Sequence, residues 1–132
     1  MVFRGMEPGP NQLPLVGRST RRLGVRVPED IAPDAAGQVH PRTGGMSVAL
    51  GSMWNLPNHR RPIGMLRGSS GRPSDRVFGI NEIDLRKQPL DTRPAPPGSP
   101  RHAVVEPVQQ MTLGAYESAL ANTRASWLQV WP

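Results

Sequence analysis

A chain of 132 residues has room for one small domain around one core, and its 14 glycines and 16 prolines stop just short of the composition typical of unstructured chains. The net charge of +6 is carried almost wholly by arginine, Lys87 being the only lysine. That bias is either a product of codon usage or a surface suited to phosphates, dinucleotides, nucleic acid or an acidic protein. The absence of cysteine excludes disulfides, thiolate metal sites and a cysteine nucleophile, and no run approaches the ~18 apolar residues of a membrane span.

In chain order, Val2-Phe3-Arg4-Gly5-Met6 reads as a short strand ended by the turn-former Glu7-Pro8-Gly9-Pro10. The polar segment Gly17 to Arg22 is expected to make a turn or two of helix before Gly24, and Val25 to Thr43 to be mostly loop. Gly44-Gly45 then supply a tight turn in front of Met46, Val48 and Leu50, which alternate with Ser47 and Ala49 at period two. That alternation faces Ser47 away from the Met/Val/Leu side. Met53 to Pro57 leads into the basic cluster His59-Arg60-Arg61 and a Gly/Ser-rich loop from Gly68 to Ser74. Arg76 to Ile80 and Ile83 to Leu85 are further strand candidates, whereas five prolines between Pro89 and Pro100 predict an extended loop. His102 to Glu106 is a β-branched run closed by Pro107. Thr112 offers a helix N-cap, and Leu113, Tyr116, Leu120, Thr123, Trp127 and Val130 recur at helical spacing. Four or five short strands and one C-terminal helix make a single α+β domain over residues 1–132.

Several chemistries are missing their signatures. No G-x-G-x-x-G or P-loop spacing occurs, and His40, His59 and His102 belong to no compact metal-ligand motif. The cluster NHRRP, residues 58–62, concentrates charge on a loop and reads either as a phosphate or RNA contact or as a solvated basic turn. More informative are polar residues embedded in apolar strands: Arg4 in VFRGM, Ser47 in GGMSVAL, and His102 and Glu106 bracketing AVV. A charge inside an apolar strand is costly unless it is paired, hydrated or facing a cleft, so these intrusions either point into solvent or meet at one cleft.

Five short segments in order resemble the small bacterial toxins of the ADP-ribosyltransferase-like group that includes a type VI secretion effector of pseudomonads. They are the first strand, Leu23-Gly24-Val25-Arg26, the HP-x-T-G-G-x-S-V segment at 40–48, the NLP-x-HRRP segment at 55–62, and HAVVEP with Met111-Thr112-Leu113 following. The resemblance spans most of the chain. It implies a bent, split antiparallel sheet of the ADP-ribosyltransferase type, loop-rich, with a C-terminal helix and NAD in the cleft between its halves. It further implies that Arg4 holds cofactor phosphate or ribose, with Gly5, Gly44 and Gly45 allowing close approach of the backbone. Ser47 supports the cleft, and Glu106 contacts the nicotinamide ribose, with His102 sharing that role. The implied partners are NAD and a cognate immunity or antitoxin protein of acidic character. The implied site of action is the cytoplasm of a target or host bacterium, reached without a cleavable signal peptide.

The chemistry calls for these residue types independently. Breaking the nicotinamide–ribose bond creates an oxocarbenium-like centre that a carboxylate stabilises, and nicotinamide departs neutral without an acid. Two departures narrow the reading. Ser47-Val48-Ala49 stands where many such transferases have Ser-Thr-Ser, and Val104 stands two residues before Glu106, where arginine-modifying members carry Gln or Glu. Arginine is therefore disfavoured as acceptor, and NAD hydrolysis stands beside transfer. Two other functions remain open: a ribonuclease toxin using His59 or His102 as acid or base with Arg60 and Arg61 on the RNA, and a non-catalytic binding domain.

Overall fold

The protein is described by a computed structural model that covers residues 1–65 and 68–131. Its elements are β1 (Val2–Met6), β2 (Gln38–Val39), β3 (Met46–Leu50), β4 (Arg76–Ile80), α1 (Glu82–Arg86), β5 (Leu90–Pro94), β6 (His102–Pro107), β7 (Met111–Thr112), α2 (Leu113–Asn122) and β8 (Leu128–Trp131). The fold is α+β. Six strands form an antiparallel sheet in the order β5-β6-β3-β1-β4-β8, and β2 pairs with β7 beside it.

Four segments differ from expectation, each for a physical reason. Residues 17–22 form bends rather than helix because their backbone groups are engaged elsewhere: Glu7 N donates to Arg21 O, and Gly17 N to Leu23 O. Ile83–Leu85 is helical, not a strand, because the Asn81 side chain accepts from Ile83 N at 3.0 Å and places Glu82 and Asp84 in the first turn. The proline-rich stretch contains β5, an edge strand whose proline falls at its last position, where a lost donor is tolerated. The C-terminal helix stops at Asn122, so Trp127 and Val130 lie beyond it. Thr123 turns its hydroxyl onto Leu120 O and accepts from Trp127 Nε1, and the chain then leaves to pair with β4 as β8.

The centre of the sheet is open. β1 pairs with β4 along its whole length, from Val2↔Ile80 to Met6↔Arg76, but with β3 only at Val2↔Leu50 and Phe3↔Ala49. From Arg4 onward β1 and β3 diverge. One half of the sheet is then β5-β6-β3 and the other β1-β4-β8.

Period two decides which residues face which side. Val2, Met6, Met46, Val48, Phe78, Ile80, Ala103 and Val105 point to the main core, which Tyr116, Ala119 and Leu120 of α2 and Trp127 cover. Phe3, Ala49 and Val77 face the other way, into a smaller cluster with Leu56 and Met65. Tyr116 ties α2 to the sheet. Its hydroxyl accepts from Met46 N at 3.2 Å and donates to Val105 O at 2.6 Å, at the rung where those two residues are paired. Burial raises the pKa of that hydroxyl above the ordinary tyrosine value.

Candidate active site

A cavity of about 420 Å³ lies at the opening between β1 and β3. Arg4 and Gly5 of β1, Ser47 to Ala49 of β3 and His102 of β6 border it, and the loops 20–30 and 55–60 complete the wall. Arg4 shares its face of the sheet with Val2 and Met6, whereas Ser47 shares the opposite face with Ala49. They meet at one cavity only because the sheet is parted there.

Arg4 is 5% exposed and fills the parting. Its Nη1 donates to Ser47 O at 2.6 Å across the gap, its Nε to Arg22 O at 3.1 Å, and its Nη2 to Ser19 O and Gly24 O at 3.0 and 3.3 Å. One N–H of the fork has no partner among the described residues. Burial lowers its pKa to about 10; Asp30 acts against that shift and Arg60 with it. The guanidinium is thus charged at neutral pH, and most of its donors hold the 19–24 loop and β3 in place.

Gly5 serves the site differently. A Cβ at this position would stand 2.4 Å from Arg60 O, so only glycine lets the 58–61 loop lie against β1 and bring His59 and Arg60 to the cavity. Ser47 is exposed, and its hydroxyl has no protein partner among the described residues. His102 turns Nδ1 onto the Ala95 carbonyl. A carbonyl oxygen can only accept, so the proton sits on Nδ1 and the neutral ring presents Nε2 as an acceptor.

Glu106, Gly44 and Gly45 do not line this cavity. Glu106 is on the same face as Ser47 and His102, but four residues along β6 from His102, roughly 13 Å at the rise of a strand. Its Oε2 accepts from Arg93 Nε and from Arg42 N, both at 2.9 Å. Gly44, at φ +133, backs onto Asp30 O, to which Gly45 N donates at 2.9 Å. The glycine pair therefore positions the Asp30 loop rather than a ligand.

Asp30 is the residue that sequence reasoning missed. Among the described residues it is the only carboxylate bordering the cavity, and it is held by Arg26 through Nη2 at 3.0 Å and the backbone N–H at 2.7 Å. It follows Pro28-Glu29 in a loop with no periodicity, so nothing local marks it. The basic cluster also divides. Arg60 borders the cavity, while Arg61 is 6% exposed, binds Asn58 Oδ1, Trp54 O and Ser69 Oγ, and stands 5.6 Å from the Trp54 ring centroid.

Among the described residues no group of three or more His, Asp or Glu could hold a metal ion, and no helix is long and apolar enough to cross a membrane. Compared with family models, curated proteins and solved structures, the chain matches none.

Proposed function

We propose that the opening between β1 and β3 is a NAD-binding cleft and that the chain is an ADP-ribosyltransferase-like toxin. It would act in a bacterial cytoplasm and be restrained by a cognate immunity or antitoxin protein. One observation carries this reading: an antiparallel sheet parts between its two central strands, and Arg4, Gly5, Ser47 and His102 border the cavity at the parting. The residues present fit a dinucleotide. Leu56 and Pro57 give an apolar wall, Ser47 a hydroxyl free of protein partners, and Arg60 an arginine fork for phosphate oxygens, in a cavity within the usual size range of small-molecule sites.

NAD supplies a ribose whose bond to nicotinamide can break with the leaving group neutral, so the site needs no acid there. The chain's own residues then have separable tasks. Arg4 spans the parting and charges the floor, Ser47 would orient a ligand hydroxyl, and Asp30, the only carboxylate bordering the cavity among the described residues, would offset positive charge there once Arg26 shares or releases it. His102 borders the cavity with Nδ1 engaged by the Ala95 carbonyl, which leaves Nε2 as the ring nitrogen that would accept a proton from an attacking hydroxyl, amine or water. Glu106 serves catalysis in this reading only if Arg93 releases it.

Calorimetric titration with NAD, paired with chromatography of released nicotinamide, tests this. Saturable binding that Ser47→Ala weakens in a protein of unchanged circular dichroism is the expected result. Asp30→Asn should lower turnover more than Glu106→Gln; the reverse order would return the carboxylate role to Glu106. Wild-type protein that takes up no NAD refutes the reading.

A further inference from the structure

A second cavity, of about 590 Å³, adjoins the first, and Thr20, His59 and Arg60 belong to the walls of both. Its frame is two loop segments laced together by their backbones. Ser70 N donates to Asn58 O at 2.9 Å, Gly71 N to Arg61 O at 2.7 Å, and Ile63 N to Gly71 O at 3.0 Å. The basic cluster at 58–62, which the NAD reading uses only in part, is thereby held in place by backbone bonds, with His59 and Arg60 on the walls of both cavities.

The charges along these walls are unbalanced in one direction. Among the described residues, Asp30 and Asp75 are the only carboxylates lining either cavity, and both are already engaged, Asp30 by Arg26 and Asp75 by the Arg21 fork at 2.6 Å. Arg60 and Arg72 have side chains with no carboxylate or carbonyl partner among the described residues. Arg60 also lies close enough to Arg4 to disfavour its charged form. Unmatched cations gathered in a concave, partly desolvated place repel one another, and an anion that enters relieves the repulsion.

We infer that the second cavity binds single-stranded nucleic acid, with the phosphate chain running past Arg72 and Arg60 and one nucleotide at the entrance to the first cavity. Arginine forks fit phosphate oxygens, and the hydroxyls of Thr20 and Ser70 lie on the same walls. Ile63 and Pro73 add apolar wall against which a base can lie. A duplex is too stiff and wide to enter a cavity of this volume, whereas a single strand can turn its phosphates to the arginines and its bases to the apolar wall. Binding alone is inferred, with no bond made or broken. It deepens the toxin reading by naming the macromolecule brought to the cleft, yet it does not require NAD to be bound.

Fluorescence anisotropy with a fluorescein-labelled oligouridylate tests this, using the full chain at several salt concentrations. Binding is expected to be saturable and weaker as salt rises. The Arg60→Ala/Arg72→Ala variant should bind about tenfold more weakly or worse, with a log–log salt slope shallower by about 1.4 for two lost single-strand phosphate contacts. Arg18→Ala/Arg101→Ala removes equal charge from positions lining neither cavity and should leave the affinity nearly unchanged. Three results overturn the inference: no saturable binding at low salt, equal weakening by the two double variants, or displacement by polyglutamate or a duplex as effective as by unlabelled oligouridylate. Ser47→Ala is expected to keep oligonucleotide binding. Wild-type protein that binds the strand but not NAD refutes the NAD-cleft reading and leaves the nucleic-acid site standing.

Discussion

Arg4 carries its charge into the sheet with backbone carbonyls around it and, among the described residues, no carboxylate bonded to it. The fall in its pKa to about 10, caused chiefly by burial, corresponds to roughly 3 kcal/mol against the charged form. Removing the side chain nonetheless strips four carbonyls, three in part-buried bonds and one in a buried bond, of this donor. Arg4→Ala is therefore expected to lose on the order of 3 kcal/mol or more in urea denaturation, whereas Ser47→Ala should stay within about 0.5 kcal/mol. Lost activity in the first variant is a folding effect until shown otherwise; in the second it reports the ligand contact. Tyr116 adds a pH dependence whose sign follows from burial. Its folded pKa is raised, so the stability of the neutral hydroxyl is fully present below the unfolded value of about 10 and is lost as pH rises above it. Arg4 works in the opposite direction over the same window, because a depressed cation pKa lets the unfolded state bind more protons between its folded and unfolded values. Tyr116→Phe removes only the first effect. The wild type should exceed it by about 1 to 2 kcal/mol at neutral pH, and that margin should shrink by about 1.4 kcal/mol one pH unit above 10.

At the scale of elements, the site depends on how closely the 58–61 loop and β1 approach. Gly5→Val would drive a side chain into Arg60 O and push the loop outward, taking His59 and Arg60 with it. A stability loss of about 1 to 3 kcal/mol in denaturation is expected, together with weaker NAD and oligonucleotide binding in the assays above. Unchanged binding would show that the loop is not part of either site. β8 is the other element whose role is out of proportion to its length. It covers the edge of β4 and follows Trp127, which is 0% exposed. A chain ended after Thr123 should lose its cooperative thermal transition, measured by near-ultraviolet circular dichroism, because both the core aromatic and the edge partner are gone.

For the whole molecule, acidic residues already subtracted in the net charge of +6 pair with arginines on the outer surface, as in Arg18–Glu117 and Arg86–Asp91, while Arg60 and Arg72 at the two joined cavities have no carboxylate partner among the described residues. That distribution suits an acidic inhibitor as well as a polyanion. In the proposed reading, production of the protein in a bacterial host should arrest growth. Ser47→Ala should relieve the arrest at equal protein levels, and Arg18→Ala/Arg101→Ala should not. Growth that is unaffected by wild-type protein refutes the toxin assignment at this scale.

The period-two runs at Val2–Met6, Met46–Leu50, Arg76–Ile80 and His102–Pro107, and the Thr112 cap before Leu113, were legible because they are local: alternation and capping are written within a few neighbouring residues. The same alternation correctly set Ser47 apart from Met46 and Val48. What only the tertiary structure decided are relations between segments far apart in the chain. β1 parts from β3 after Phe3, Arg4 reaches Ser47 from the opposite face, and Gly5 admits a loop more than fifty residues away. Asp30 joins the cavity while Glu106 is drawn off to Arg93. The physical reason is one and the same. A residue's own neighbours determine which side of a strand it occupies, whereas which strands lie together, and where two of them separate, is settled by packing and hydrogen bonding over the whole chain.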